Sequence, residues 1–428
     1  MNRKASLFLA YFLPAILIAW RMPHALFRAE FWAEDGTEFF QTAFLGVQSL
    51  WTPVWGYHFF WCRLIAFAAT AFPVVWIPYL YAAACLVTTS FCLGYFHRDG
   101  FSWLIEGRWR RVAVCAFFAL IPGSGEVSLN LCNLHSVLTL FAILLLLEKP
   151  WTLSWKRFGV FFFLSFCAGQ MILLVPLIFA IGYLTRNRRY YGLGASFLPI
   201  FILNAIGNHG RAAASGNLNY QNALKIPRLL IENFFDRFLY GPLLGNYIAQ
   251  ALMRNSNFVY WPVSIFVAWI LWRLIRRFRV SRQNLLLFGS AILSTLGTYA
   301  MIAIARAPGA WLVSHSSGDL TWDGRYSYLP GFLSTLLWSA LFFSLTRVPK
   351  TAPKWGGYLL LAYLIYTNFN HWRHTCPRPD LHWPEQAPRF QEAVDLRAKG
   401  KLQHPVTVPL RLHPQSPGWE VQNITIHA

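Results

Sequence analysis

FGVFFFLSFCAGQMILLVPLIFAIGYL, residues 158–184, is a 27-residue run without a charged side chain. As one helix it would be about 40 Å long, well beyond the roughly 30 Å hydrocarbon core of a bilayer. Gly169-Gln170 lies near its middle. If the chain turns there, Arg186/Arg188/Arg189 and Arg273/Arg276/Arg277/Arg279/Arg282 share a side with Arg3-Lys4; if the run stays whole, they fall on the opposite side. Basic residues gather on the cytoplasmic side of a membrane, so two short spans are expected, 158–168 and 171–184.

Working outward from that run gives the rest of the topology. Of 428 residues, 56% are hydrophobic and only 13% charged, against about 25% charged in an ordinary soluble domain. The apolar residues come in blocks long enough for spans, and 20 Trp with 18 Tyr suit aromatic belts at two interfaces. The expected fold is an all-α polytopic membrane protein of about eleven transmembrane helices. They are placed near 5–20, 74–96, 112–122, 134–147, 158–168, 171–184, 191–206, 259–273, 284–305, 327–346 and 356–370. The first block ends at Arg21-Met-Pro-His without a small-residue cleavage site, which marks an uncleaved span rather than a secretory signal.

In this topology the inner loops hold Arg3, Lys4, Arg98, Arg108, Arg110, Arg111, Lys149, Lys156, Arg157, the two Arg clusters, Arg347, Lys350 and Lys354. They face only Asp99, Glu106 and Glu148. The formal charge of +20 is therefore membrane orientation, not nucleic-acid binding, since Lys and Arg sit in short clusters between apolar blocks. The N-terminus is expected in the cytoplasm and the C-terminus outside, in the periplasm of a bacterial inner membrane. The hydrophilic stretches 21–60, 207–258 and 371–428 then all face outward, so the working face is the outer one. Residues 1–370 form the transmembrane domain, and 371–428 a short C-terminal outer segment packed loosely against it. Seven cysteines, mostly within apolar blocks, show no disulfide framework.

The first outer loop concentrates the chemistry. Glu30, Glu34, Asp35 and Glu38 fall within nine residues, just past the first span. Next comes a stretch with Phe40, Phe44, Val47 and Leu50/Trp51 on one helical face and Thr37, Glu38, Gln41 and Gln48 on the other, the pattern of an interfacial helix. Asp35 with Glu38 three residues on also fits a capping box. Capping leaves Glu34 and Trp32 unexplained, so Asp35 and Glu34 are candidate general bases. Arg63 lies in an apolar run and needs a partner, either one of these acids or a lipid phosphate. His58, Arg306, His315 and Arg325 are further outer donors. Arg325 and Tyr326 stand at the outer start of the tenth span, where an arginine also serves as a snorkelling anchor. Pro122-Gly-Ser-Gly-Glu126, followed by Asn130, Asn133 and His135, adds polar groups at the outer end of the third span. His371, His374, Cys376, Asp380 and His382 have an irregular, Pro-interrupted spacing that does not amount to a zinc motif. Asn423-Ile-Thr425 is a glycosylation acceptor only in a eukaryotic lumen.

An acidic pair in the first outer loop, an interfacial helix and many short spans resemble the GT-C superfamily of membrane glycosyltransferases. The run Ala33-Glu34-Asp35-Gly36, then Gly46, Ser49-Leu50, Gly56-Tyr57-His58 and Arg63-Leu64, is similar to a set of uncharacterised bacterial GT-C-like proteins. Pro122–His135 and Gly324-Arg325-Tyr326 support the likeness. It implies a polyprenyl-phosphate sugar donor, a glycan or lipid acceptor in the cell envelope, and inverting transfer. Asp35 would be the favoured base, Glu34 its alternative, and His58, Arg63, Glu126, His135, Arg325 and Tyr326 would bind substrate. No cofactor or metal is implied, and the partners are the lipid-linked donor, the acceptor and membrane lipids. Two other classes share parts of this pattern. A lipid-linked oligosaccharide flippase would need a polar or cationic cavity through the bilayer. An O-antigen-type polymerase or ligase would lean on outer Arg and His.

Overall fold

The computed structural model of the chain describes residues 3–54, 57–121, 127–215, 261–269, 272, 286, 289–293, 324–346, 351–372, 380–412 and 421–427. Most of these are helical. The first half holds α1 (Arg3–Arg21), α2 (Pro23–Phe27), α3 (Gln41–Ala43), α4 (Phe60–Ala69), α5 (Ile77–Gly94), α6 (Arg108–Ala119), α7 (Leu134–Leu147), α8 (Trp155–Cys167), α9 (Val175–Thr185) and α10 (Arg188–Ser215). Later come α11 (Gly324–Leu345), α12 (Thr351–Trp372), α13 (Trp383–Ala398) and a hairpin of β1 (Val406–Arg411) and β2 (Val421–Ile426).

Among the described residues, two helical stretches are long and apolar enough to cross a membrane, Lys4–Arg21 and Val74–His97. Shorter apolar helices are Phe60–Ala69, Leu134–Leu147, Gly169–Thr185 and Gly331–Phe343. The long run breaks where the charges require it: Ala168 is extended, with φ −147° and ψ 111°, and ends α8 before a 3₁₀ stretch Gly169–Leu174 leads into α9. Two elements keep the chain from continuing. Pro176 starts α9 near its first turn, a position where its missing N–H is harmless. Gly169 gives passage to the Tyr57 ring, which a Cβ there would strike.

The centre of the bundle is α7, apolar all round and buried almost all round, as a helix must be when neighbours cover every face. It contacts α5, α8, α9, α11 and the 169–174 stretch. The periphery is the reverse. On α1, Phe8, Phe12, Ile16 and Trp20 recur every four residues along one exposed stripe, Trp20 being 60% exposed. Phe162 and Phe163 on α8, Leu198 and Ile202 on α10, and Trp355, Leu359 and Tyr366 on α12 are exposed in the same way.

The charged end of the bundle is tied together. Glu148, just past α7, takes hydrogen bonds from the Tyr95 hydroxyl (2.7 Å), Arg98 Nε (2.6 Å) and Arg157 Nη2. Asp99 pairs with Arg108 at 3.0 Å and Arg111 at 2.5 Å. Lys149 lies over the rings of Trp103 and Trp151 at 4.6 and 4.5 Å.

The C-terminal segment is more ordered than its Pro- and His-rich composition suggests. In the antiparallel hairpin, Val406 pairs with Ile426 and Arg411 with Val421. Val408, Leu410, Ile424 and Ile426 turn inward with the strand period of two. Together with α13 it docks on the first loop through Trp383 and Phe390, both buried. An apolar cluster that short chains cannot complete alone is completed here by residues 31–44.

Candidate functional site

Past α1 the chain crosses α2 and enters a helical segment at Ala33, wound as a π-helix over Asp35–Phe40 before α3. The Gln41 N–H donates to the Gly36 carbonyl, the five-residue step of a π turn, a winding frequent at functional sites. The expected interfacial helix is therefore not continuous. The π turn adds a residue, and Gly46, at φ +74°, resets the chain into a 3₁₀ turn Gly46–Trp51. As a result Phe39 and Phe40 point into the core, while Val47 and Trp51 lie exposed.

Glu34 and Asp35 are both buried, 3% and 4% exposed. Asp35 is not a helix cap. Its carboxylate reaches across to the loop before α7 and accepts the backbone N–H groups of Leu131 (3.0 Å) and Cys132 (2.8 Å). Two amide donors favour the ionised carboxylate. They also hold a strained loop: Leu129 has φ +59°, a conformation that costs a bulky residue of order 1–3 kcal/mol. Asn130 Oδ1 accepts the Asn133 N–H at 3.1 Å, and the Cys132 carbonyl faces His135 Nδ1 at 2.7 Å. The His135 ring meets Phe59 edge-on at 5.1 Å, and its Nε2 lies 3.4 Å from Gln170 Nε2 in the break after α8. The first loop, the 127–135 loop and the 168–174 break thus converge on one place.

Arg63, on α4, is 1% exposed, but neither acid is its hydrogen-bond partner. Its Nε donates to the Thr52 carbonyl (3.1 Å), and its Nη1 to the Glu38 carbonyl (2.7 Å) and the Thr42 hydroxyl. The guanidinium sits over the Phe39 ring at 4.9 Å. The nearby Glu38 side chain adds a favourable charge to these main-chain and hydroxyl oxygens. Its Nη2 is buried and has no partner among the described residues. Asp35 and Arg63 both act electrostatically on Cys62 and Tyr81, which places them around the same buried volume. Tyr81 Oη, Asn130 Nδ2 and His58 Nδ1 are further buried atoms without a partner among the described residues. Burial holds the His58 imidazole below its ordinary value, so it is neutral near pH 7.

Of the residues singled out in the sequence, Glu34, Asp35, His58, Arg63 and His135 are therefore gathered around the first loop. Glu126, Arg306, His315, His374 and Cys376 lie outside the described residues. Arg325 and Tyr326 fall in the first turn of α11 and His371 near the end of α12, with side chains outside the description. Asp380 and His382 lie apart from the pair, 3.8 Å from one another on the C-terminal segment. Tyr81 and Gln170 were not legible as site residues; a tyrosine or amide within an apolar run gives no spacing signal. No family model matches this chain, and neither a curated protein nor a solved structure does.

Proposed function

We propose that this chain is a multi-pass membrane glycosyltransferase of GT-C-like architecture, transferring a sugar from a polyprenyl-phosphate donor to an envelope glycan or lipid on the outer face. The lipid setting is supported by the exposed apolar stripes. A soluble monomer rarely exposes contiguous apolar surface on this scale, whereas spans facing acyl chains must. The eleven spans would be α1, 74–97, α6, α7, α8, 169–185, α10, the helices around 261–269 and 289–293, α11 and α12, with the N-terminus in the cytoplasm of a bacterial inner membrane.

The observation that carries the reading is a pair of buried carboxylates where a π turn begins, beside a buried arginine with one uncommitted nitrogen. Buried ionisable groups next to a membrane are retained for function more often than for stability. The two acids divide the work. Asp35, with its oxygens on the Leu131 and Cys132 amides, holds the 127–135 loop; Glu34 takes the proton of the acceptor hydroxyl. The acceptor oxygen then bonds to the anomeric carbon, the bond from that carbon to the phosphate oxygen breaks with its electron pair, and the configuration inverts. Arg63 Nη2 and neutral His58 donate to the departing lipid phosphate. Ring faces of Phe39, Phe59 and Tyr81 and the donors of Asn130 line the route for the sugar. No step draws on a metal or other cofactor.

The test uses membranes containing the full chain, a panel of farnesyl-phosphate pentoses and hexoses, and release of farnesyl phosphate as readout. One donor should turn over above membranes lacking the protein. Glu34→Gln should lower turnover about 10²-fold or more at unchanged protein level. Asp35→Asn should lower both turnover and thermal stability. A Glu34→Gln variant as active as the parent removes the transferase mechanism.

A further inference from the structure

We propose that the C-terminal unit, residues 380–412 and 421–427, is the positioning element of the carboxylate pair, and that it acts through Gly36. Strand β2 packs along the π turn, and the side chains of Leu410 on β1 and of Leu412 just past it meet this glycine. A Cβ on Gly36 would intrude on Leu412 Cδ2 and stand 3.0 Å from Leu410 Cδ2, both on buried side chains. The glycine is there so that the strand end can touch the backbone next to Asp35.

The rest of the unit clasps the same segment on both sides. Before the turn, the Leu381 N–H donates to the Glu30 carboxylate, and the Trp383 ring meets Phe31 edge-on at 4.9 Å. After it, Phe390 meets Phe40 at 5.5 Å, and Arg397 donates to the Phe44 carbonyl. The clasp is itself anchored at the head of the second long helix, where Gln391 Oε1 accepts the Val74 N–H (2.7 Å) and Trp383 Nε1 donates to the Val75 carbonyl (3.0 Å).

π turns are rare. This winding aims the Asp35 carboxylate at Leu131 and Cys132, and through Cys132 it orders His135. Residues 380–412 and 421–427, far away in sequence, therefore set the geometry of residues 34, 35 and 131–135. The inference goes beyond the transferase reading, because it holds for any ligand taken at this site.

The test is amide exchange on the full chain in nanodiscs, read at Leu131 and Cys132, whose N–H groups donate to Asp35. Gly36→Ala should displace β1 and speed exchange at these two amides by about tenfold or more, the loss expected when a charge-assisted bond opens. Leu412→Ala added to Gly36→Ala makes room for the new methyl and should return exchange to near the parent rate. Unchanged exchange in Gly36→Ala, or no recovery in the double variant, overturns the proposal. If Gly36→Ala alone yields no folded protein, the double variant decides. Folding with slow exchange at both amides supports the coupling, and failure to fold rejects it.

Discussion

Replacing Glu148 by Gln exchanges a charged acceptor for a neutral one where three donors converge, and the structure gives the expected loss. The carboxylate is 5% exposed and holds Arg98, Arg157 and the Tyr95 hydroxyl. Breaking a buried ion pair by removing one partner costs about 3–5 kcal/mol. Arg98, however, is half exposed and can turn into water, so its share falls toward the 0–1 kcal/mol of a surface pair. Arg157, 22% exposed, and Tyr95 cannot rehydrate so easily, and hydrogen bonds to a charged group are worth about 1.5–3 kcal/mol. The net expectation is a loss of about 3 kcal/mol for Glu148→Gln. Equilibrium unfolding in mixed micelles, followed by tryptophan fluorescence, measures it. The same substitution in an Arg157→Met background should cost visibly less, because the pair is then already broken. A loss below about 0.5 kcal/mol, or an equal loss in both backgrounds, would show that the cluster at the end of α7 is not a coupled clasp.

Two further expectations follow from close packing and from burial. Gly169→Ala should destabilise by about 1–3 kcal/mol, since its methyl meets the Tyr57 ring, whereas Gly159→Ala on α8, where a Cβ meets nothing within 4 Å, should be neutral or stabilising in the same unfolding assay. His58 should make stability fall on acidification. Above 6.5 it is neutral in both states; below 6.5 the unfolded chain binds the proton first, because burial lowers the folded value. His58→Gln should flatten the stability profile between pH 6.5 and 5, and an unaltered slope would place the imidazole in water.

Reading the helices required little beyond periodicity and charge. The expected spans 5–20, 74–96, 112–122, 134–147, 158–168, 171–184 and 191–206 each fall on an observed helical stretch, with ends within a few residues except at the last, whose helix α10 runs to Ser215. The break at Ala168 was legible because a whole run would have put two arginine clusters on the wrong side. The carboxylate pair was legible from the density of acids in one short loop. Its surroundings were not. Asp35 looked like a helix cap because capping depends on residues three apart, and sequence spacing cannot say that two amides 96 and 97 positions away compete for the same oxygens and win. Arg63 looked in need of Glu34, Asp35 or a lipid phosphate, whereas carbonyls from Glu38 and Thr52, with the Glu38 charge nearby, already surround it.

The sequence alone determined what depends on solvent and on local repeats. Apolar length, aromatic content and the scatter of arginines set a helical, lipid-suited chain and single out residues 30–38, because transfer free energy is summed along the chain one residue at a time. Tertiary structure alone decided how those residues are used. Contacts between positions 36 and 412, 35 and 132, or 74 and 391 arise from packing, which depends on shape in three dimensions. Gly36 is the clearest case: as a letter it is a turn former, and only the strand lying against it shows why a methyl group cannot fit.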